Sequence, residues 1–159
     1  MVKKLMNRLI TLFLALVLIA SNLLADLEVG AKFREIIRSA KASVHMVSLK
    51  EVKSMMDKSE DFIILDVRDF NEIKASGYPK WDRYENISRG QLELLVGGSD
   101  LKVDDKIVIF CQTGNRAALA ALTLESVGFK NILVADGGMS GWKMRNYPTE
   151  YIQIPLNNF

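Results

Sequence analysis

The sequence predicts an α/β fold built on a parallel sheet. Short unbroken apolar runs, Phe62 to Val67 (FIILDV), Ile107 to Phe110 and Ile132 to Ala135, have the composition of strands buried on both faces. Each follows a polar or charged turn and leads into a stretch with helical spacing, and strands alternating with helices place any ligand at the carboxyl ends of the strands.

The elements follow in order. Leu9 to Ala25 is an uncharged run of 17 residues preceded by Lys3, Lys4 and Arg8, the layout of a secretory signal over residues 1–25, cut after Ala25. A run of that length also reaches the short end of what spans a bilayer, so an uncleaved anchor is the alternative. Either places the domain in the periplasm or outside the cell, or on a membrane facing away from the cytoplasm. Phe33, Ile36 and Ile37 predict a helical extension within 26–43. Val44 to Val47 is short enough for an edge strand. Ser48 with Glu51 matches a capping box, and Leu49, Val52, Met55 and Met56 continue it as an apolar stripe, so a helix covers 49–58.

After the Phe62 to Val67 strand, a helical piece over 70–75 precedes Gly77 and Pro79. These open a loop through Trp81 and Tyr84, whose aromatics either cover the core or face a partner. A strand around Asn86 to Ser88 and a helix over Gln91 to Val96 follow. The Ile107 to Phe110 strand feeds a glycine-containing loop and an alanine-rich helix over 116–127. Beyond Ile132 to Ala135, Gly137 and Gly138 break the chain before a short helix holding Trp142. The domain proper runs 44–148, with a tail over 149–159.

Charge narrows the function. With Lys3, Lys4 and Arg8 set aside from the 21 basic residues, 18 face 19 acidic ones, so the domain has no basic excess to attract nucleic acid. Cys111 is the only cysteine and His45 the only histidine. No disulfide can form within the chain, no metal site of ordinary ligand number is evident, and no cofactor is called for. A lone cysteine is commonly an inert core residue, so its neighbours decide.

Cys111-Gln112-Thr113-Gly114-Asn115-Arg116 leaves a buried strand and opens a helix. The helix dipole, converging backbone N–H groups and the Arg116 guanidinium all favour a thiolate there. Gly114 admits the left-handed backbone such a curl requires. The loop therefore cradles an anion above a nucleophile, which requires a thiol open to water. Cysteine phosphatases place five residues between cysteine and arginine, and four stand here. The smaller ring suits a single sulfur atom: the thiolate attacks the outer sulfur of a donor such as thiosulfate, and a persulfide remains.

The motifs LDVR at Leu65 to Arg68, CQTGNR at Cys111 to Arg116 and DGGMSGW at Asp136 to Trp142 resemble, in that order and separation, a single-domain rhodanese. The resemblance implies a rhodanese-like fold with a central parallel sheet flanked by helices on both faces. It makes Cys111 the persulfide-bearing nucleophile, closed by Arg116, with Gln112, Thr113, Gly114 and Asn115 binding the substrate. Asp66 and Arg68 would brace the site, Arg68 also being a candidate substrate contact, while Gly137, Gly138 and Trp142 shape the adjoining loop and helix. The implied partners are a small anionic sulfur donor and a thiol, cyanide or protein acceptor. Where relatives carry a Gly-His-Ile-Pro-Gly-Ala segment, this chain has Gly77-Tyr78-Pro79 and Lys80 to Tyr84, so donor and acceptor specificity do not carry over. The functional readings are an exported sulfurtransferase, a non-enzymatic sulfur carrier or partner-binding module, and a phosphatase or arsenate reductase, against which the short loop argues.

Overall fold

The structure is a computed structural model that describes residues 2–152; the expected tail at 153–159 lies outside the described residues. The chain divides into two compact units, Met1–Arg38 and Ser39–Phe159. Leader and helical extension form one helix, α1 (Val2–Ser43). It is long and apolar enough to cross a membrane by length and composition, and a signal sequence passes the same test.

In the second unit five parallel strands stand in the order β1-β6-β5-β2-β4: β1 (Met46–Ser48), β2 (Ile63–Asp66), β4 (Tyr84–Asn86), β5 (Lys106–Phe110) and β6 (Asn131–Asp136). β1 lies at the edge, as its length predicts. The alternation of side chains along the strands sorts the core into two layers. Ile63, Leu65, Ile107 and Ile109 face α5 (Asn115–Ser126) and α4 (Leu92–Leu95). Ile64, Val108 and Phe110 face α2 (Leu49–Asp57) and α6 (Gly138–Met144). Helices thus cover both faces, which is why the central strands contain no polar alternation.

The Ser48 and Glu51 capping box is present: the Glu51 N–H donates to Ser48 Oγ at 3.2 Å and the Ser48 N–H donates to the Glu51 carboxylate at 2.9 Å. α3 (Phe70–Ser76) follows β2. Two residues assigned to the tail do otherwise: β7 (Thr149–Glu150) pairs antiparallel with β3 (Tyr78–Pro79) in a second, two-stranded sheet. A Cβ on Gly77 would lie 2.5 Å from the Glu150 carbonyl oxygen at φ +72°, so this close crossing requires glycine. The aromatic loop between β3 and β4 covers the core. Trp81 stacks on Phe62 with centroids 4.6 Å apart and donates its indole N–H to the Phe62 carbonyl at 2.8 Å.

Candidate active site

β2 and β5 are neighbours, with Asp66 opposite Phe110 at their carboxyl ends. From there the chain leaves β2 toward β4 on one side, and leaves β5 toward β6 on the other. Diverging connections open a crevice at a parallel sheet's carboxyl edge, and Cys111 is the first residue past β5.

The Gly114 N–H donates to Cys111 Sγ at 3.1 Å. Gly114 makes this possible at φ +93°, as the left-handed residue that caps α5. The expectation of an open thiol needs correction: Cys111 is 1% exposed and packs in the same apolar cluster as Ile109 and Ala117. Its sulfur lies on the floor of the loop, amide on one side and core on the other. Around it Thr113 is exposed, while Gln112, Asn115 and Arg116 are half-buried.

The loop is stitched to α6. Met139 and Ser140 donate their N–H groups to the carbonyls of Cys111 and Gln112 at 2.9 and 3.0 Å, and the Gln112 amide donates to Ser140 Oγ at 2.9 Å. Gly138, at φ +52°, is forced by this seam, because a Cβ there would lie 2.3 Å from the Cys111 carbonyl oxygen. Gly137 takes the left-handed turn before it, at φ +91°. Trp142 is fully buried below, edge-on to Phe110 at 5.6 Å, and donates to the Pro148 carbonyl at 2.9 Å.

Both arginines near the loop are held by carboxylates. Arg68, the candidate substrate contact, is 0% exposed. Its Nε donates to both Asp66 oxygens at 3.0 Å, and its terminal nitrogens donate to Asp66, Ser76 Oγ and the Gly77 carbonyl at 2.6 to 2.8 Å. A guanidinium so committed has little hydrogen-bonding capacity left for a donor anion. Tyr84 donates its hydroxyl to Asp66 at 3.1 Å; burial first, then the Asp66 carboxylate, push that phenol well above its ordinary range. Arg116 is turned to Glu72, with Nη1 and Nη2 reaching its two carboxylate oxygens at 2.7 and 2.6 Å. Glu72 also accepts the Asp69 N–H at 3.1 Å. The hydrogen bonds from Arg116 hold the Glu72 carboxyl below the usual carboxylate range.

The Rhodanese-like domain model matches residues 48–145. The chain belongs to the rhodanese-like domain family. Among solved rhodanese-fold structures, the polysulfide-sulfur transferase homodimer of Wolinella succinogenes superposes with TM-score 0.68 at 36% identity, over 82% of this chain and 95% of that one. The protein named "Putative sulfur carrier protein YrkF" of Bacillus subtilis is 32% identical over 101 residues, 64% of this chain. Thiosulfate sulfurtransferase GlpE of Pseudomonas fluorescens is 30% identical over 60% of this chain and 83% of its own length. The chain spans about half the length of YrkF and under a third of the matched tRNA uridine(34) hydroxylase of Bdellovibrio bacteriovorus.

Within this rhodanese domain the crevice brings together Cys111, Gly114 and the carbonyls of residues 111 and 112, and sets Asp66 and Arg68 beneath. The sequence reading missed Glu72 and Lys41. Asp69 and Glu72 carry capping-box spacing, which marks a helix start and says nothing of an arginine 44 residues away. Lys41 Nζ donates to Asp136 at 3.3 Å and lies beside Gly114. A cavity of about 500 Å³ lined by His45, Lys106, Lys130 and Asn131 lies around the amino ends of β5 and β6, the opposite edge of the sheet from Cys111. Among the described residues no three His, Cys, Asp or Glu side chains are grouped to hold a metal ion.

Proposed function

We propose that Cys111 carries sulfane sulfur as a persulfide, receiving it from a small sulfur donor and passing it to a thiol, cyanide or protein acceptor. The observation that carries this is the Gly114 N–H aimed at Cys111 Sγ from 3.1 Å at the carboxyl edge of the sheet. The Cys111 thiolate attacks the outer sulfur of the donor, one S–S bond forms and another breaks, and the electron pair leaves with sulfite or an organic thiolate. The Gly114 N–H in a buried site suits negative charge on the cysteine sulfur as it attacks and as it is released. In the second half-reaction an acceptor thiolate takes that sulfur and the electron pair returns to Cys111.

Of the two sulfur-handling readings, storage fits the geometry better than rapid turnover. A thiol 1% exposed keeps a bound sulfur from water and requires local opening of the loop before a donor or acceptor reaches it, which favours slow exchange over turnover, and a relative named as a sulfur carrier points the same way. Turnover on thiosulfate is the second reading, favoured by the relatives named thiosulfate sulfurtransferase. The apolar stretch of α1 supports work outside the cytoplasm, either after cleavage or on an anchor.

Mass spectrometry tests the proposal. After treatment with thiosulfate or an organic persulfide, Cys111 gains about 32 Da, one sulfur atom. Cys111→Ser keeps the fold and gains nothing; unfolding of that variant would favour an inert core thiol. Loading without turnover on cyanide or small thiols identifies the carrier, and catalytic turnover identifies the enzyme.

A further inference from the structure

We infer that Glu72 sets donor choice, neutralising Arg116 so that the crevice favours small organic persulfides with no charge beyond the single one of the persulfide group over dianionic thiosulfate. The inference rests on the proposed sulfur transfer through Cys111. Its basis is the placement of the pair: Glu72 stands on α3, which follows β2, Arg116 at the start of α5 in the cysteine loop that follows β5, and two hydrogen bonds of 2.6 and 2.7 Å join these neighbouring segments.

A guanidinium with both terminal nitrogens on one carboxylate presents little positive charge to a third group. Arg68 is buried on Asp66, and Lys41 is paired with Asp136. A thiosulfate ion approaching Cys111 therefore meets a cation already neutralised and the carboxylate that neutralises it. Displacing Glu72 from Arg116 would leave that carboxylate facing two further negative charges. A persulfide meets less repulsion and needs no guanidinium.

The two reactions differ only in what leaves. With thiosulfate, the Cys111 thiolate bonds to the outer sulfur, the S–S bond breaks and sulfite departs with the electron pair as a dianion. With a persulfide anion, the same bond forms and an organic thiolate departs with one charge. Total charge is conserved in both, and only the first brings a dianion past Glu72 on the way in and on the way out. Glu72 acts through Arg116 and is a positioning residue.

The test compares rates of sulfur gain at Cys111 in the full chain, with thiosulfate and 2-hydroxyethyl persulfide, which has no charge beyond its persulfide group, as donors. Glu72→Gln can still accept the Asp69 N–H, so the start of α3 survives. In that variant the thiosulfate rate is expected to rise about tenfold while the persulfide rate changes less than about twofold, the scale of one nearby charge. A measurement independent of any variant is the salt response: raising ionic strength quickens thiosulfate loading of the wild type by screening repulsion. An equal effect on both donors, a lower thiosulfate rate in Glu72→Gln, or slowing by salt overturns the inference. Absence of sulfur gain from either donor in the wild type overturns the proposed transfer itself, and the inference with it, and is distinguished by its lack of any loaded species.

Discussion

At the scale of single residues, two buried positions are held by single-residue constraints. Gly138 combines φ +52° with a Cβ position 2.3 Å from the Cys111 carbonyl oxygen. Gly138→Ala must therefore push the cysteine loop away from α6 and should cost about 2 kcal/mol or more, seen as a lower urea midpoint. Arg68 and Asp66 form a pair with both side chains 0% exposed. Removing one partner leaves a buried charge uncompensated, so Arg68→Ala should destabilise by about 3–5 kcal/mol. Sulfur loading in whatever fraction remains folded should persist, because Arg68 offers no contact to a donor. Loss of loading in a demonstrably folded Arg68→Ala protein would restore it as a substrate contact.

Among elements, α3 is pinned at both ends. Glu72 at its start is tied to Arg116, and Ser76 at its end accepts from Arg68 Nη1 at 2.8 Å. The lowered Glu72 pKa fixes the sign of a pH effect. A carboxyl with a folded value below its ordinary value contributes stability that is complete above about 4.5 and disappears as pH falls through the folded value. The stability difference between wild type and Glu72→Gln should therefore be constant at neutral pH and shrink below about pH 4.5, measured by urea denaturation across that range.

The same element shows how far the sequence could be read. Apolar runs and the Ser48 capping box specify β2, β5, β6 and α2 almost to the residue, because local patterning decides buried strands and helix starts. β3 and β7 are two residues each and pair across 70 positions of chain, with no alternation long enough to reveal them. Cys111 and Gly114 stand where the loop motif places them. Arg116 and Arg68 were legible as charges near the site, and Asp66 as a partner of Arg68, whereas Glu72 for Arg116, and Ser76 and the Gly77 carbonyl for Arg68, are partners that no local pattern specifies. Burial of the thiol likewise follows from packing of α5 on the sheet, which motif spacing does not encode.

For the whole molecule, the division at Arg38 has a testable meaning. Ala40, 2% exposed, belongs to the core of the second unit, so a chain starting at Ser39 retains the last turn of α1 that its core requires. Such a protein should unfold in one cooperative transition and load sulfur at the full-length rate. A broad transition, or loading lost with the first 38 residues, would show that the apolar helix contributes to the domain's folding.

The seam between the cysteine loop and α6 has one further bearing on how the protein handles its cargo. Because the carbonyls at 111 and 112 are already anchored by amides of the following helix, gaining an atom at the thiol has to be absorbed by side-chain rotation and local breathing of packed neighbours. Deuterium uptake at Met139 and Ser140 should be the same for charged and empty protein, so a partner that distinguishes the two must feel the sulfur directly and not a change in shape.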